Sequence, residues 1–255
     1  TLDVEVIQHD DGSVDSMHDL DIRHRDGRVA AVEVTADVDP EATVLWNLMN
    51  GGGRWVEPEL AGGWMVELEL RARAKRIRSE LPGLLRQLEK GGVSEVSIRR
   101  SRSSSDERVE HASSLGIRRL HQSGTDFPGI IYVTLNLPLE RSGGFVADDS
   151  DALARWVGGF LAVERPDVCT KLAISDRDER HAFVLVSGFS TATFAVTDVL
   201  FRVDSPLPSL DPALPEGITD VWIVSTWVAG RGFRWSCSSG WSHFDKQAPT
   251  EVRAG

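Results

Sequence analysis

The residues best suited to chemistry lie in a short acidic stretch near the start of the chain. It reads Met17-His18-Asp19-Leu20-Asp21-Ile22-Arg23-His24, then Arg25-Asp26-Gly27-Arg28, then Val29-Ala30-Ala31-Val32-Glu33-Val34-Thr35. Leu20, Ile22, Ala30, Val32 and Val34 hold the even positions, and Asp19, Asp21, Arg23, Glu33 and Thr35 hold odd ones. Strand side chains alternate between faces, so the pattern predicts a hairpin with an apolar core face and a chemical face, turned at Asp26-Gly27. A two-residue loop would pair Leu20 with Glu33 and mix the faces. A three-residue loop, Asp26 to Arg28 with a bulge, pairs Asp21 with Glu33 and Asp19 with Thr35 and is the register expected. Two carboxylates directly across a strand pair repel unless they share a cation. Asp21 and Glu33 are therefore the expected metal ligands, with Asp19 as an extra one.

This arrangement resembles the PD-(D/E)XK, or restriction-endonuclease-like, nuclease superfamily, whose motif is an Asp on one strand of a hairpin and Glu-x-Lys on the next. Asp21 matches the Asp, Glu33 the Glu, and Thr35 stands where the Lys would be. The resemblance spans residues 1–100. The segments 181–186 and 218–224 also resemble actinobacterial proteins with a Glu-x-Thr hairpin. The likeness implies an α/β fold, a mixed central sheet with flanking helices and a restriction-endonuclease-like N-terminal core. It implies Mg²⁺ or Mn²⁺ on carboxylate oxygens, activating water for phosphodiester hydrolysis. Asp21, Glu33, Thr35 and a substitute lysine would form the catalytic set. Lys75 is the expected substitute, with Arg73 as its alternative, because it falls on a helix soon after the hairpin. Two other readings stay open: a nuclease-like protein that binds nucleic acid or another partner without cleaving, favoured by Thr35, and an α/β regulatory subunit, favoured by the acidic balance.

Positioning those residues is the work of the rest of the chain, which has 255 residues in all and a net charge of −11. The charge is uneven: residues 1–70 hold 4 basic and 16 acidic side chains, and residues 71–119 hold 13 basic and 6 acidic. A basic middle beside an acidic start fits either a phosphate track, with DNA expected ahead of RNA, or a basic helix neutralised by neighbouring acids. No run of eighteen apolar residues exists, so no membrane span is expected. The first residues, Thr1-Leu2-Asp3, show neither a basic-apolar leader nor an initiator Met, so no signal peptide is expected, and either a trimmed chain or a missing first segment fits this start. The two cysteines, Cys169 and Cys237, lack zinc-site spacing and read as reduced core thiols of a cytoplasmic bacterial protein.

Three segments are expected: a nuclease-like part over 1–100, a polar connector over 101–128, and an α/β continuation over 129–255. Asp39-Pro40 opens a helix that Gly51-Gly52-Gly53 ends; the triglycine lacks the Lys-Ser/Thr of a phosphate loop. Ile77, Leu81, Leu84, Leu85 and Leu88 predict a helix over 72–90 that Pro82 kinks or restarts. Strands are expected over 64–70, 93–99, 129–137, 182–186 and 221–224. The last two are expected to run parallel around a helix near 191–202, and an edge strand is expected over 233–237. Trp222, Trp227, Trp235 and Trp241 crowd the end of the chain and suit core closure or base stacking. His18, His24, His111, His121, His181 and His243 are scattered, and alternation places His18 and His24 on the face opposite Asp21. No nucleophile elbow and no dinucleotide fingerprint is present.

Overall fold

In a computed structural model, described for residues 4–13, 16–98, 106–124, 126–144, 146–228 and 230–246, the chain forms two compact units. One comprises residues 1–38 and 143–255, the other residues 39–142. The first unit opens with an antiparallel meander of β1 (Glu5–Gln8), β2 (Leu20–Arg23) and β3 (Val29–Asp37). Its turn decides the register. His24 N–H donates to Arg28 C=O (2.9 Å), Gly27 N–H donates to His24 C=O (3.0 Å), and Gly27 has φ +88°. The loop is therefore Arg25 to Gly27, one residue earlier than expected. Its third residue must be left-handed, a conformation glycine adopts without strain and arginine does not. Asp21 consequently pairs with Ala31, not Glu33. The parity expected from the sequence is kept, and the pairing is shifted by two residues.

The second unit follows as α1 (Pro40–Asn50), β4 (Trp55–Val56), β5 (Trp64–Glu69), α2 (Ala74–Lys90), β6 (Glu95–Ser97), α3 (Glu107–Ser114), β7 (Ile117–Gln122) and β8 (Ile130–Asn136). Its sheet has the order β4-β8-β5-β7-β6, with β5 and β8 parallel. Asp39 caps α1 by accepting from Ala42 N–H (3.0 Å), and Pro40 sits in its first turn. Helix α2 runs unbroken through Pro82 and buries Ile77, Leu81, Leu84, Leu85 and Leu88. Each such side chain contributes about 1.5–3 kcal/mol. Several of its cations are neutralised within the unit: Arg76 by Glu80 (2.9 Å), Arg86 by Glu59 (2.7 Å), and Arg78 lies over the Trp55 ring. Residues 106–124 of the expected polar connector form a helix and a strand of this unit, because Ala112, Leu115, Ile117 and Leu120 enter its core. Residues 101–105 and 125 of that connector lie outside the described residues.

The chain then completes the first unit with α4 (Asp151–Gly159), a π-helical turn (Phe160–Glu164), α5 (Pro166–Ile174), β9 (Glu179–Val186), α6 (Phe194–Phe201), β10 (Asp220–Ser225), β11 (Arg231–Ser236) and β12 (Gly240–Asp245). The seven strands lie in the order β1-β2-β3-β9-β10-β11-β12. Strands β3, β9 and β10 are mutually parallel and the others pair antiparallel. The expected parallel neighbours, 182–186 and 221–224, are present and flank α6 in the chain. The strand expected at the edge is internal, because β12 lies outside it. The fold is thus mixed α/β with two mixed sheets in place of one central sheet.

Helices cover the sheet face that carries Ala31, Ala182, Val184, Val221, Ile223 and Phe233, which pack with Leu153, Val157, Leu161, Val168 and Leu172. The opposite face holds a smaller cluster of Ile22, Ala30 and Val32, with Leu20, Val34 and Phe183 beside it. Parallel central strands bury both faces. The odd-numbered face of the hairpin, expected to be open chemistry, is therefore the helix-covered one. Cys169 is half-buried, and Cys237 is exposed instead of in the core. Trp235 is buried, whereas Trp227 is exposed. Among the described residues no helix is long and apolar enough to cross a membrane.

Candidate functional site

The inward row of β3 reads Ala31, Glu33, Thr35, Asp37, and all four are buried. Glu33 lies beside Ala182 of β9, and by extension of the β2–β3 register Asp19 lies opposite it. Asp19 is fixed by accepting from Val34 N–H on Oδ2 at 2.7 Å. Above this row lies α5, opened by Pro166 and seated through Val168 and Leu172. That places Lys171 over the strand, with Nζ 2.7 Å from Glu33 Oε1. Burial pushes the Glu33 carboxyl above its ordinary range, against the pull of the Lys171 hydrogen bond, and the Asp19 charge pushes the same way as burial. The Glu33 hydrogen bond raises the Lys171 ammonium, so it stays a cation at neutral pH. Glu33 Oε2 and Thr35 Oγ1 are buried without a hydrogen-bond partner.

Asp21 sits on the same face, two residues from Asp19, and is held by other groups. His18 Nε2 lies 2.9 Å from its Oδ1, His9 Nδ1 lies 3.3 Å from its Oδ2, and Arg177 reaches Oδ2 at 3.7 Å. The two imidazoles stack at 4.0 Å. His18 was expected on the opposite face. It precedes the first residue of β2, after a left-handed Ser16 (φ 68°), so strand alternation does not govern it.

Lys75 and Arg73 belong to the other unit, at the start of α2, and both are exposed. The lysine that meets Glu33 is Lys171. Its signal was present in the sequence: Pro166 suits a helix start, and Val168 and Leu172 are one turn apart. The stretch reads as irregular only if that short helix is missed. Asp37, the last of the row, has a structural role. Its carboxylate accepts from Thr191 N–H (2.9 Å), Thr191 Oγ1 (2.6 Å), Ala192 N–H (3.2 Å) and Ser190 Oγ, pinning the loop before α6.

A second polar cluster occupies the other face. His181 is almost fully buried; its Nδ1 accepts from Trp222 Nε1–H at 3.1 Å. Its Nε2 lies 3.5 Å from Asp220 and 3.7 Å from Glu179. Arg234 holds Asp220 at 2.7 Å, and His24 lies 3.2 Å from Glu179. Burial lowers the His181 imidazole below its ordinary value. With the ring neutral and Nδ1 accepting, the proton resides on Nε2.

Comparison with known protein families, characterised proteins and solved structures finds no match to this chain.

Proposed function

We propose that the first unit is a metal-dependent phosphodiester hydrolase of restriction-endonuclease-like type, acting on nucleic acid with DNA ahead of RNA. The observation that carries this reading is the Lys171–Glu33 contact at 2.7 Å on the face that also bears Asp19 and Asp21. It supplies the cation that Thr35 removes from the motif, from a helix instead of from β3. The topology is compatible: an antiparallel meander runs through helices to a strand parallel with its third member.

Asp19, Asp21 and Glu33 would hold Mg²⁺ or Mn²⁺. The fit rests on the buried, unpartnered Oε2 of Glu33 and the neighbouring Asp19 charge; Asp21 is engaged by His9 and His18, with which its ligand atoms already lie within 4.8 Å. A bound ion would polarise the phosphate and lower the pKa of a water. Glu33 positions Lys171, and Lys171 offers a permanent positive charge to an attacked phosphate. Thr35 adds a hydroxyl two residues from Glu33 on the same strand face.

The test is cleavage of single- and double-stranded DNA and RNA with Mg²⁺ or Mn²⁺. Wild type should cleave. Lys171→Ala should slow cleavage by about 10–100-fold, as expected for loss of a charge-assisted phosphate contact of about 1.5–3 kcal/mol. Glu33→Gln should cost more, and Lys75→Ala should leave the rate unchanged. The burial of Glu33 and the closed ion pair favour a second reading, a nuclease-like scaffold that binds without cleaving. Salt-sensitive nucleic-acid binding without cleavage would select it.

A further inference from the structure

We infer that His9, His18 and Asp21 form a binding site for a nitrogen-preferring divalent transition ion of the Zn²⁺ class. The site shares Asp21 with the proposed hydrolytic centre but does not rest on that reading. Its parts come from three places that the hairpin brings together. His9 immediately follows β1, His18 lies in the loop before β2, and Asp21 is the second residue of β2. Strands β1 and β2 pair with Ile7 opposite Asp21, so the end of β1 returns to the carboxylate.

One ligand atom from each of the three residues lies within 4.8 Å of the other two. His18 Nε2 lies 2.9 Å from Asp21 Oδ1, and His9 Nδ1 lies 3.3 Å from Asp21 Oδ2. Bonds of about 2.0–2.1 Å in a tetrahedral site put neighbouring donor atoms about 3.3 Å apart, so the His9 contact is at that spacing, while the His18 contact is at hydrogen-bond length and opens by a few tenths of an ångström when the shared proton gives way to an ion. His18 and Asp21 are buried, with side chains 5% and 11% exposed, and His9 closes the outer side at 32%. The site is thus desolvated at its base and open on one side for a fourth ligand. The rings lie within 8° of parallel, with Asp21 bridging them. Loading an ion requires His9 to turn about its ring torsion, which is broad and soft, and its exposure permits that rotation.

The donor set decides the ion. Two imidazole nitrogens and one carboxylate suit Zn²⁺ and its neighbours; Mg²⁺ demands oxygen and keeps its water. Two neutral imidazoles also add no charge, so a divalent ion beside Asp21 leaves a local surplus of +1. Arg177, 3.7 Å from Asp21, then favours an anionic fourth ligand.

The experiment measures Zn²⁺ and Co²⁺ binding to the full chain by calorimetry and by the visible absorption of Co²⁺, with Mg²⁺ as competitor. The proposal expects one ion per chain with nitrogen-type Co²⁺ bands, and no displacement by excess Mg²⁺. His9→Ala, His18→Gln and Asp21→Asn should each weaken binding at least about tenfold, since even residues that only support a metal ligand cost about 10–100-fold. His24→Ala and Cys237→Ser, outside the site, should leave affinity unchanged. His9 is partly exposed, so its variant keeps the fold and the test stands even if His18→Gln unfolds. Absence of Zn²⁺ binding, binding untouched by His9→Ala, or displacement of the ion by Mg²⁺ would each overturn the proposal. None of these readouts depends on cleavage, so loss of the hydrolase reading would leave this one standing.

Discussion

Replacing Lys171 with Met gives the sharpest physical test of the site, because it removes the charge and keeps most of the side-chain volume. Glu33 has a side chain 4% exposed and Lys171 one 26% exposed. Breaking a buried pair by deleting one partner costs about 3–5 kcal/mol; partial exposure of the ammonium brings the expectation here to about 2–3 kcal/mol at pH 8. The loss should depend on pH. The Glu33 carboxyl is already raised by burial, with the Lys171 hydrogen bond holding it back. Without Lys171 it rises further. A carboxyl whose folded pKa lies above its unfolded value destabilises the fold once ionised, and that penalty vanishes as pH falls below the unfolded value. The gap between wild type and Lys171→Met should therefore narrow toward pH 4.5, at no more than about 1.4 kcal/mol per pH unit for one proton. Urea unfolding of wild type, Lys171→Met, Glu33→Gln and the double variant at pH 8 and pH 4.5 measures it. The double variant should recover most of the single-variant loss. Equal losses at both pH values, or strictly additive losses in the double variant, would refute the argument that Lys171 neutralises a desolvated Glu33.

Asp37→Ala leaves Thr191 N–H and the hydroxyls of Ser190 and Thr191 without this acceptor, while Ala192 N–H keeps Ser190 Oγ at 2.9 Å; it should cost about 2–4 kcal/mol, read as a lowered urea midpoint, and an unchanged midpoint would remove Asp37 from its anchoring role. Glu80 is held down to about 2, first by the Arg76 hydrogen bond and then by that of His111. Its carboxyl carbon should stay in the ionised range in an NMR titration to pH 3, and Arg76→Gln should return it toward the usual value. His181 is neutral in the fold because burial lowers its pKa, so the unfolded chain takes up the proton first as pH falls below about 6.5 and stability drops there. His181→Gln should flatten the urea midpoint between pH 7.5 and 5.5 relative to wild type; parallel pH profiles would contradict this.

Much of the fold was legible where periodicity was strong. The five apolar residues of α2 at helical spacing and the Asp39-Pro40 start of α1 specify those helices, and the runs around Ala182 and Val221 specify two parallel strands. The parity of the hairpin was legible too, since a one-residue slip would have turned Glu33 to the other face. What alternation does not encode is a slip of two, which keeps every face and changes every partner. Only the left-handed requirement at Gly27 fixes that choice. The second unit was not separable by reading along the chain, because it is inserted between β3 and α4 and the first unit closes only when β9 returns to pair with β3. Lys171 and Glu33 are 138 positions apart, and no local pattern reports such a pairing. His9 and His18 meet Asp21 through a loop, where neither strand nor helix periodicity applies.

The inward row of β3 separates what the fold requires from what it does not. Residues 33, 35 and 37 register with Ala182, Val184 and Val186 on the parallel neighbour. Those three are apolar and fully packed, so apolar residues suffice for that layer under the helices. Asp37 departs from the pattern for a visible reason, since four donors converge on it. Glu33 keeps an orphaned oxygen despite the Lys171 contact, and Thr35 Oγ1 has no partner. Each buried unsatisfied group costs about 1–3 kcal/mol, and a desolvated carboxylate beside Asp19 adds repulsion. Packing gains nothing from that expense. A chain selected for stability alone would carry an aliphatic residue at 33 and have no use for an ammonium at 171. The polar residues of β3 that lack a structural role are Glu33 and Thr35, and Lys171 is the cation brought to them from another element. That coincidence is the physical ground for the proposal that the inward row of β3 carries the chemistry.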